Sequence, residues 1–160
     1  MRPVPGIRDR LDGMKRTAGF TLVELAVLMV VLGIMIAIAV PSVQKTIDSY
    51  RLKTAAAEMA TNIRLAGQES ISRELEYRIE FNIAGNRYTV FQMVYGGDVE
   101  IECVEIRDQV SMTGTGFSSN QLIFGKQGRP SESGDITLTS DLGQVRRVSV
   151  DESGRVAVVD

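Results

Sequence analysis

Residues 15–42 read KRTAGFTLVELAVLMVVLGIMIAIAVPS and hold one acidic residue, Glu24, near the start of a long apolar run. The sixteen residues from Leu25 to Val40 are uncharged, and residues 20–23 extend the run to a length that can cross a bilayer. A charged side chain at membrane depth costs roughly 2.5–3.5 kcal/mol on insertion scales. The position of Glu24 therefore predicts a partner for its carboxylate.

Length, charge and cysteine content bound the rest of the chain. Its 160 residues allow one folded domain with an appendage. Five basic residues stand against two acidic ones before Phe20, so removal of that segment would change the net charge from −2 to −5. An acidic product argues against a general affinity for nucleic acid or anionic lipid. Cys103 is the single cysteine, and we expect it to be a small buried residue rather than a reactive thiol.

Two ordinary interpretations of the apolar run are open. The basic pair Lys15 and Arg16 just before it favours a cytoplasmic N-terminus, as in a signal anchor. The tripeptide Ala-Ile-Ala at 37–39 matches the small-x-small pattern of a cleaved secretory signal. Neither interpretation accounts for Glu24.

The order GFTLVE at residues 19–24, after a basic pair and before an apolar run, resembles the class III leader of type IV pilins and type II secretion pseudopilins. The resemblance implies that residues 1–19 form a cleaved leader with that basic pair as its flank. It also implies a prepilin peptidase, which cuts after Gly19 on the cytoplasmic side and methylates the new amine of Phe20. The apolar helix would then stay attached to the mature chain.

A physical role for Glu24 follows from this processing. Glu24 lies four residues after Phe20, about 6 Å along a helix, so a neighbouring subunit displaced by a turn or more brings its amine toward this carboxylate. Pairing satisfies two charges that lipid leaves poorly satisfied, and it therefore favours adding a subunit. We expect Glu24 to be an assembly determinant.

A second methionine, Met14, offers another start for the leader. Residues 14–19 alone would make a short basic leader of the usual family kind. We expect translation to start at Met14, with a long natural leader from Met1 as the alternative.

Beyond Pro41 the apolar pattern remains helical and becomes amphipathic. Apolar residues recur there mostly at three- and four-residue intervals, at Val43, Ile47, Tyr50, Ala55, Met59, Ile63 and Ala66. Pro41 cannot donate a hydrogen bond to the preceding turn, so it predicts a bend. We expect one long kinked helix, with a transmembrane half over residues 20–40 and an amphipathic half over residues 41–73.

The remaining residues have the composition of strands and turns. Alternating side chains around the Gly85-Asn86 turn predict a hairpin over residues 78–95, and residues 113–120 predict a loop. Further strands are expected over residues 99–106, 121–124, 135–139, 144–150 and 155–159. The turns between them contain Gly128, Gly143 and Gly154, which are expected to need permissive backbone angles.

Residues 122–158, LIFGKQGRPSESGDITLTSDLGQVRRVSVDESGRVAV, resemble the conserved region of the H-type minor pseudopilins and the related FimT-like minor pilins. The resemblance implies a pilin-like α+β fold, in which the helix packs on an antiparallel β-rich periplasmic head over residues 76–160.

Enzymatic and metal-binding functions find little support in the composition. The chain has no histidine, which excludes His-based triads and the usual His-containing zinc sites. The Gly125-Lys126 pair fails as a phosphate loop, because Asn120 and Gln127 replace required residues. The alternating acids Glu100, Glu102 and Glu105 are expected to form a solvated strand face. We therefore expect no catalytic, cofactor or metal site.

A nucleic-acid partner is also not expected. The basic residues Arg146, Arg147 and Arg155 are interspersed with Asp151 and Glu152, and no aromatic residues lie between them.

The sequence predicts a minor pseudopilin that is anchored in the inner membrane by one helix and has a periplasmic head. Its partners would be a prepilin peptidase and other pseudopilins or pilins. The predicted role is structural, in a type II secretion pseudopilus that aids protein export across the outer membrane. The alternative is a FimT-like minor pilin of a type IV pilus, acting in pilus assembly or DNA uptake.

Overall fold

The computed structural model describes residues 19–106 and 109–159, and of Pro41 it describes only the backbone. The chain divides into two compact units between Val40 and Pro41. Within the described residues, the secondary structure consists of one long helix, eight strands and a short 3-10 turn. Their bounds are α1 Leu22–Arg73, β1 Glu76–Asn82, β2 Arg87–Val94, β3 Gly97–Glu105, β4 Val110–Thr115, the 3-10 turn Ser118–Asn120, β5 Gln121–Phe124, β6 Gly134–Ser140, β7 Val145–Val150 and β8 Val156–Val159.

Both ends of α1 have local causes. The helix begins at Leu22 rather than at Phe20, because Thr21 takes the capping position before it. It ends at Arg73, as the sequence predicts. Glu74 then takes a left-handed conformation with φ of 55°, which is a common way for a helix to terminate.

The strands form two four-stranded antiparallel sheets. The order is β3-β2-β1-β5 in the first sheet and β4-β6-β7-β8 in the second. The predicted hairpin forms the centre of the first sheet, where Phe81 lies opposite Tyr88. The other predicted strands are present within two residues of their expected bounds, and the α+β, pilin-like fold class is confirmed.

The prediction of a loop over residues 113–120 is wrong in its first part. Strand β4 occupies Val110–Thr115 and pairs with β6. Val110 and Met112 are buried, which is the alternation expected of a strand. A register shift between Met112 and Gly114 then breaks the alternation. Because of this bulge, the alternation of the strand could not be recognised in the sequence.

Residues 41–73 of α1 and the two sheets enclose one hydrophobic core. Ala56 and Ala60 are fully buried, so the helix backbone can approach the sheets closely at these small side chains. We refer to the two sheets and their loops as the head. The large side chains that are fully buried include Leu52, Met59, Ile63, Ile79, Tyr88, Leu122, Phe124, Ile136 and Leu138.

The buried stripe of α1 begins later than the sequence pattern suggests. Residues 55, 59, 63 and 66 are buried as predicted, but Val43, Ile47 and Tyr50 are 55%, 44% and 71% exposed. Leu52 is the first large apolar side chain of the stripe that the head covers. Helical periodicity identifies one face of a helix, but it cannot tell where the packing neighbour along that face begins.

Candidate functional site

The residues predicted for cleavage and assembly lie at the start of α1. Gly19 and Phe20 precede the helix, and Phe20 is 79% exposed. The side-chain oxygen of Thr21 accepts a hydrogen bond from the Glu24 amide at 3.2 Å, and its carbonyl accepts one from the Leu25 amide at 3.1 Å. Glu24 consequently lies in the first turn, where the helix dipole favours a negative charge.

Sequence reasoning assigned no role to Thr21. The spacing Thr-x-x-Glu at residues 21–24 is the signature of a capping box, and this signal identifies Thr21 as the cap. Glu24 thus has a local role at the helix start beside its predicted role in charge pairing.

The helix surface after Glu24 is apolar and unburied. α1 is long and apolar enough to cross a membrane by length and composition, and none of its most apolar window is buried. Leu22 is 84% exposed and Ile38 is 71% exposed. An uncovered helix that is apolar all round requires lipid or other helices around it. Among the described residues, no salt bridge reaches the Glu24 carboxylate.

Several predicted residues remain untested by the geometry. Lys15, Arg16 and Met14 lie outside the described residues. Pro41 lies within α1, and the bend expected there stays a prediction.

Two polar contacts attach the second half of α1 to the second sheet. The Ser140 hydroxyl donates to the Asp48 carboxylate, and both residues are 5% exposed. The Arg64 guanidinium donates to the Val156 carbonyl from two nitrogens, at 3.0 and 3.3 Å. Each pair joins residues 92 positions apart in sequence. These bonds satisfy polar groups at the edges of the core, so they fix which residues of the helix meet which strand.

A third contact joins α1 to the first sheet. The Asn62 amide nitrogen donates to the Tyr88 hydroxyl at 2.9 Å, while the Tyr88 ring is buried in the core. Burial raises the pKa of Tyr88 to about 12, although the bond from Asn62 acts in the opposite direction. Burial also raises the pKa of Tyr77.

We expect the raised Tyr88 pKa to make the head sensitive to alkali. An unfolded tyrosine ionises near pH 10, whereas Tyr88 in the folded chain keeps its proton to about pH 12. Its contribution to stability is therefore complete below pH 10 and is lost as the pH rises toward 12. Urea unfolding at pH 9 and pH 11, measured on wild type and Tyr88→Phe, should show a smaller loss in the variant. Tyr95→Phe, which alters a fully exposed ring, should behave as wild type; an equal loss in all three proteins would contradict the assignment.

Glycines allow one loop of the head to pack against the far end of α1 and a second loop to pack against the first. A Cβ built on Gly128 would lie 2.5 Å from Ile71, and one built on Gly154 would lie 2.7 Å from the Gly128 carbonyl oxygen. Gly128, Gly143 and Gly154 have φ values of 74°, 78° and 82°, which confirms the prediction that they form turns with permissive angles. The absence of a side chain also allows Gly128 to pack against Ile71 and Gly154 to pack against the Gly128 carbonyl.

Strand β3 forms an exposed edge of the first sheet. Glu100, Glu102 and Glu105 are exposed, as predicted for a solvated face. The prediction that Cys103 is buried is wrong: it is exposed on this edge strand, which no other described strand or helix covers. In the described part of the chain, no group of three or more Cys, Asp or Glu side chains could hold a metal ion.

Comparisons with known proteins match both halves of this arrangement. Residues 14–40 match the prokaryotic N-terminal methylation motif, and residues 55–154 match the family of type II transport protein GspH. No curated protein matches the sequence significantly.

Two solved structures resemble the fold. The minor pseudopilin EpsH from the type 2 secretion system of Vibrio cholerae is 14% identical, with a TM-score of 0.60 over 68% of this chain and 96% of that one. The type IV minor pilin FimU of Pseudomonas aeruginosa is 15% identical, with a TM-score of 0.59 over 71% of this chain and 91% of that one. The match to the family model over residues 55–154, behind an N-terminal methylation motif, identifies the chain as a member of the GspH family of type II transport proteins.

Proposed function

We propose that this chain, a minor pseudopilin of type II secretion, is a structural subunit of a pseudopilus that aids protein export across the outer membrane. One observation carries the proposal: the region that matches the GspH family follows an apolar, unburied helix segment that has a carboxylate, Glu24, in its first turn. The apolar helix would be held in the inner membrane before assembly and would pack against other subunits afterwards. The head would lie in the periplasm.

We further propose that a prepilin peptidase cuts between Gly19 and Phe20 and methylates the amine of Phe20. Both residues precede the helix, so their peptide bond is not held in helical hydrogen bonds. A Cβ built on Gly19 would meet no atom of the described residues within 4 Å. A requirement for glycine there would therefore come from the peptidase and not from the fold.

Mass spectrometry of the mature N-terminus tests this proposal. We expect the purified protein to begin at Phe20 with one added methyl group. A chain beginning at Val40 would instead support ordinary secretion after a cleaved signal, and an unprocessed chain would support a plain anchor.

Assembly would depend on pairing between the Glu24 carboxylate and the Phe20 amine of an adjacent subunit. The support is the exposed position of Glu24 near the start of an apolar helix, without a salt bridge to any described residue. Methylation keeps the positive charge of the amine, so it preserves the attraction.

A minor pilin of a type IV pilus is the second candidate, because the fold of FimU is as similar as that of EpsH. A role in DNA uptake finds less support. Arg147 lies 4.0 Å from Asp135, so a neighbouring carboxylate offsets part of its charge. Deletion of the gene separates the candidates: loss of protein secretion supports the pseudopilus, and loss of surface pili with intact secretion supports the pilus.

A further inference from the structure

A group of polar and basic side chains lies on α1 shortly after the apolar stretch. Lys45, Thr46, Ser49, Tyr50 and Lys53 line a shallow cavity of about 410 Å³, and we call these five residues the basic surface. Both lysines are exposed, and Tyr50 is 71% exposed. Lys45, Ser49 and Lys53 are spaced four residues apart, so they follow one face of the helix.

The charge of the basic surface is not neutralised by its own segment. Asp48 is the sole acidic residue between positions 41 and 57. Its carboxylate is buried and accepts a hydrogen bond from Ser140, so it is directed into the head. The exposed side of this segment is therefore positive, although the chain as a whole is acidic.

The basic surface follows the apolar stretch closely along the chain. Lys45 comes five residues after Val40, and Tyr50 comes ten residues after it. Each headgroup layer of a bilayer is about 5–8 Å thick. A lysine side chain can extend its ammonium several ångströms toward that layer, and tyrosine is enriched at the same depth.

We propose that the basic surface binds the anionic headgroups of phospholipids in the membrane that holds residues 20–40. This inference rests on the membrane anchoring in the proposed function. The two ammonium groups supply positive charge, and the hydroxyls of Ser49 and Tyr50 supply further donors for phosphate oxygens. Lys45 and Lys53 are about 12 Å apart along the helix, and Lys45 is the nearer of the two to the apolar stretch, so we expect it to contribute more to binding.

Membrane orientation does not account for these lysines. The positive-inside rule places basic residues on the cytoplasmic side, where Lys15 and Arg16 precede the apolar stretch. Lys45 and Lys53 follow the apolar stretch, so they reduce the difference in positive charge between its two ends that the positive-inside rule depends on. Binding of headgroups gives them a function on the far side, where it would fix the depth of the subunit in the bilayer.

Native mass spectrometry of the full chain in nanodiscs tests the proposal. The nanodiscs contain phosphatidylcholine and phosphatidylglycerol in equal parts, and the ratio of the two lipids retained on the released protein is measured. We expect wild type to retain phosphatidylglycerol preferentially. Lys45→Gln with Lys53→Gln should reduce the preference on the order of tenfold, and Lys45→Gln alone should reduce it more than Lys53→Gln, because Lys45 is nearer the membrane.

The matched control is Lys126→Gln, which removes an exposed lysine from the loop that packs near Ile71 at the other end of the helix. This variant should keep the wild-type preference. Equal retention of both lipids by wild type, or an unchanged preference in the double variant, would overturn the proposal. If the double variant instead keeps its lipids and loses only its copurification with other pseudopilins, the surface binds an acidic protein. Failure of wild type to stay in alkali-washed membranes would contradict the anchoring itself, and with it the proposed function.

Discussion

Glu24→Leu should be cleaved and methylated normally and should then fail to enter the filament. The substitution leaves Gly19 and Phe20 unchanged, so the peptidase site is intact. It removes the carboxylate that would pair with the amine of the adjacent subunit, and it leaves that amine without a partner in an apolar environment. Breaking a buried ion pair by removing one partner costs about 3–5 kcal/mol, which corresponds to more than a hundredfold loss in subunit addition. Filament yield after shearing or crosslinking measures the effect, and mass spectrometry measures processing.

The local role of Glu24 requires a control, because this residue also stabilises the start of α1. Thr21→Ala removes the hydrogen bond to the Glu24 amide and costs about 1 kcal/mol of helix stability, but it keeps the charge. We expect Thr21→Ala to assemble nearly as well as wild type. Equal loss of assembly in Thr21→Ala and Glu24→Leu would mean that both residues act through the helix end, and the pairing model would fail.

Gly154→Ala should destabilise the head by about 3–4 kcal/mol. An alanine with φ of 82° is strained by about 1–2 kcal/mol. Its Cβ would also lie 2.7 Å from the Gly128 carbonyl oxygen, which is backbone and cannot rotate away. The Gly128 backbone itself lies against the helix, since a Cβ built on it would be 3.3 Å from the Gly67 carbonyl oxygen. Urea unfolding of the purified full chain, followed by circular dichroism, measures the loss.

Gly143→Ala separates the two causes. Gly143 has nearly the same φ of 78°, but a Cβ there would meet none of the described atoms within 4 Å. This variant should lose only the conformational part, about 1–2 kcal/mol. Equal destabilisation at the two positions would show that packing against Gly128 contributes nothing, and it would contradict the close approach of the two loops.

Features with a local physical cause could be predicted from the sequence. Leu25 to Val40 are uncharged and residues 20–23 extend this run, so length and composition alone indicate a helix that can span a membrane. Apolar and polar side chains alternate in strands β1 and β2, and Gly85 and Asn86 form the turn between them. Both the alternation and the turn signal are carried by residues that are close together in sequence. The Thr-x-x-Glu spacing was present as well, although its role as a cap was recognised only from the bond between Thr21 and Glu24.

Features that depend on distant residues could not be predicted. Strand β4 was not predicted, because its bulge between Met112 and Gly114 arises from its pairing with β6, which is distant in sequence. Cys103 has the chemistry of a buried residue, yet it is exposed on the edge strand β3, where Thr89 of β2 lies opposite it and no described strand pairs with its other side. The amphipathic pattern included Ile47 and Tyr50 in the buried stripe, but both are exposed, and Leu52 is the first large apolar side chain that the head covers.

The sequence by itself determined the apolar helix, the processing motif, the turn glycines and most strands, because each is encoded within a few consecutive residues. The tertiary structure alone decided which face of α1 the head covers. That choice depends on contacts such as Asp48 with Ser140, which are 92 residues apart and come together only when the core forms. By burying the one carboxylate of residues 41–57, the same packing leaves Lys45 and Lys53 exposed as a positive surface.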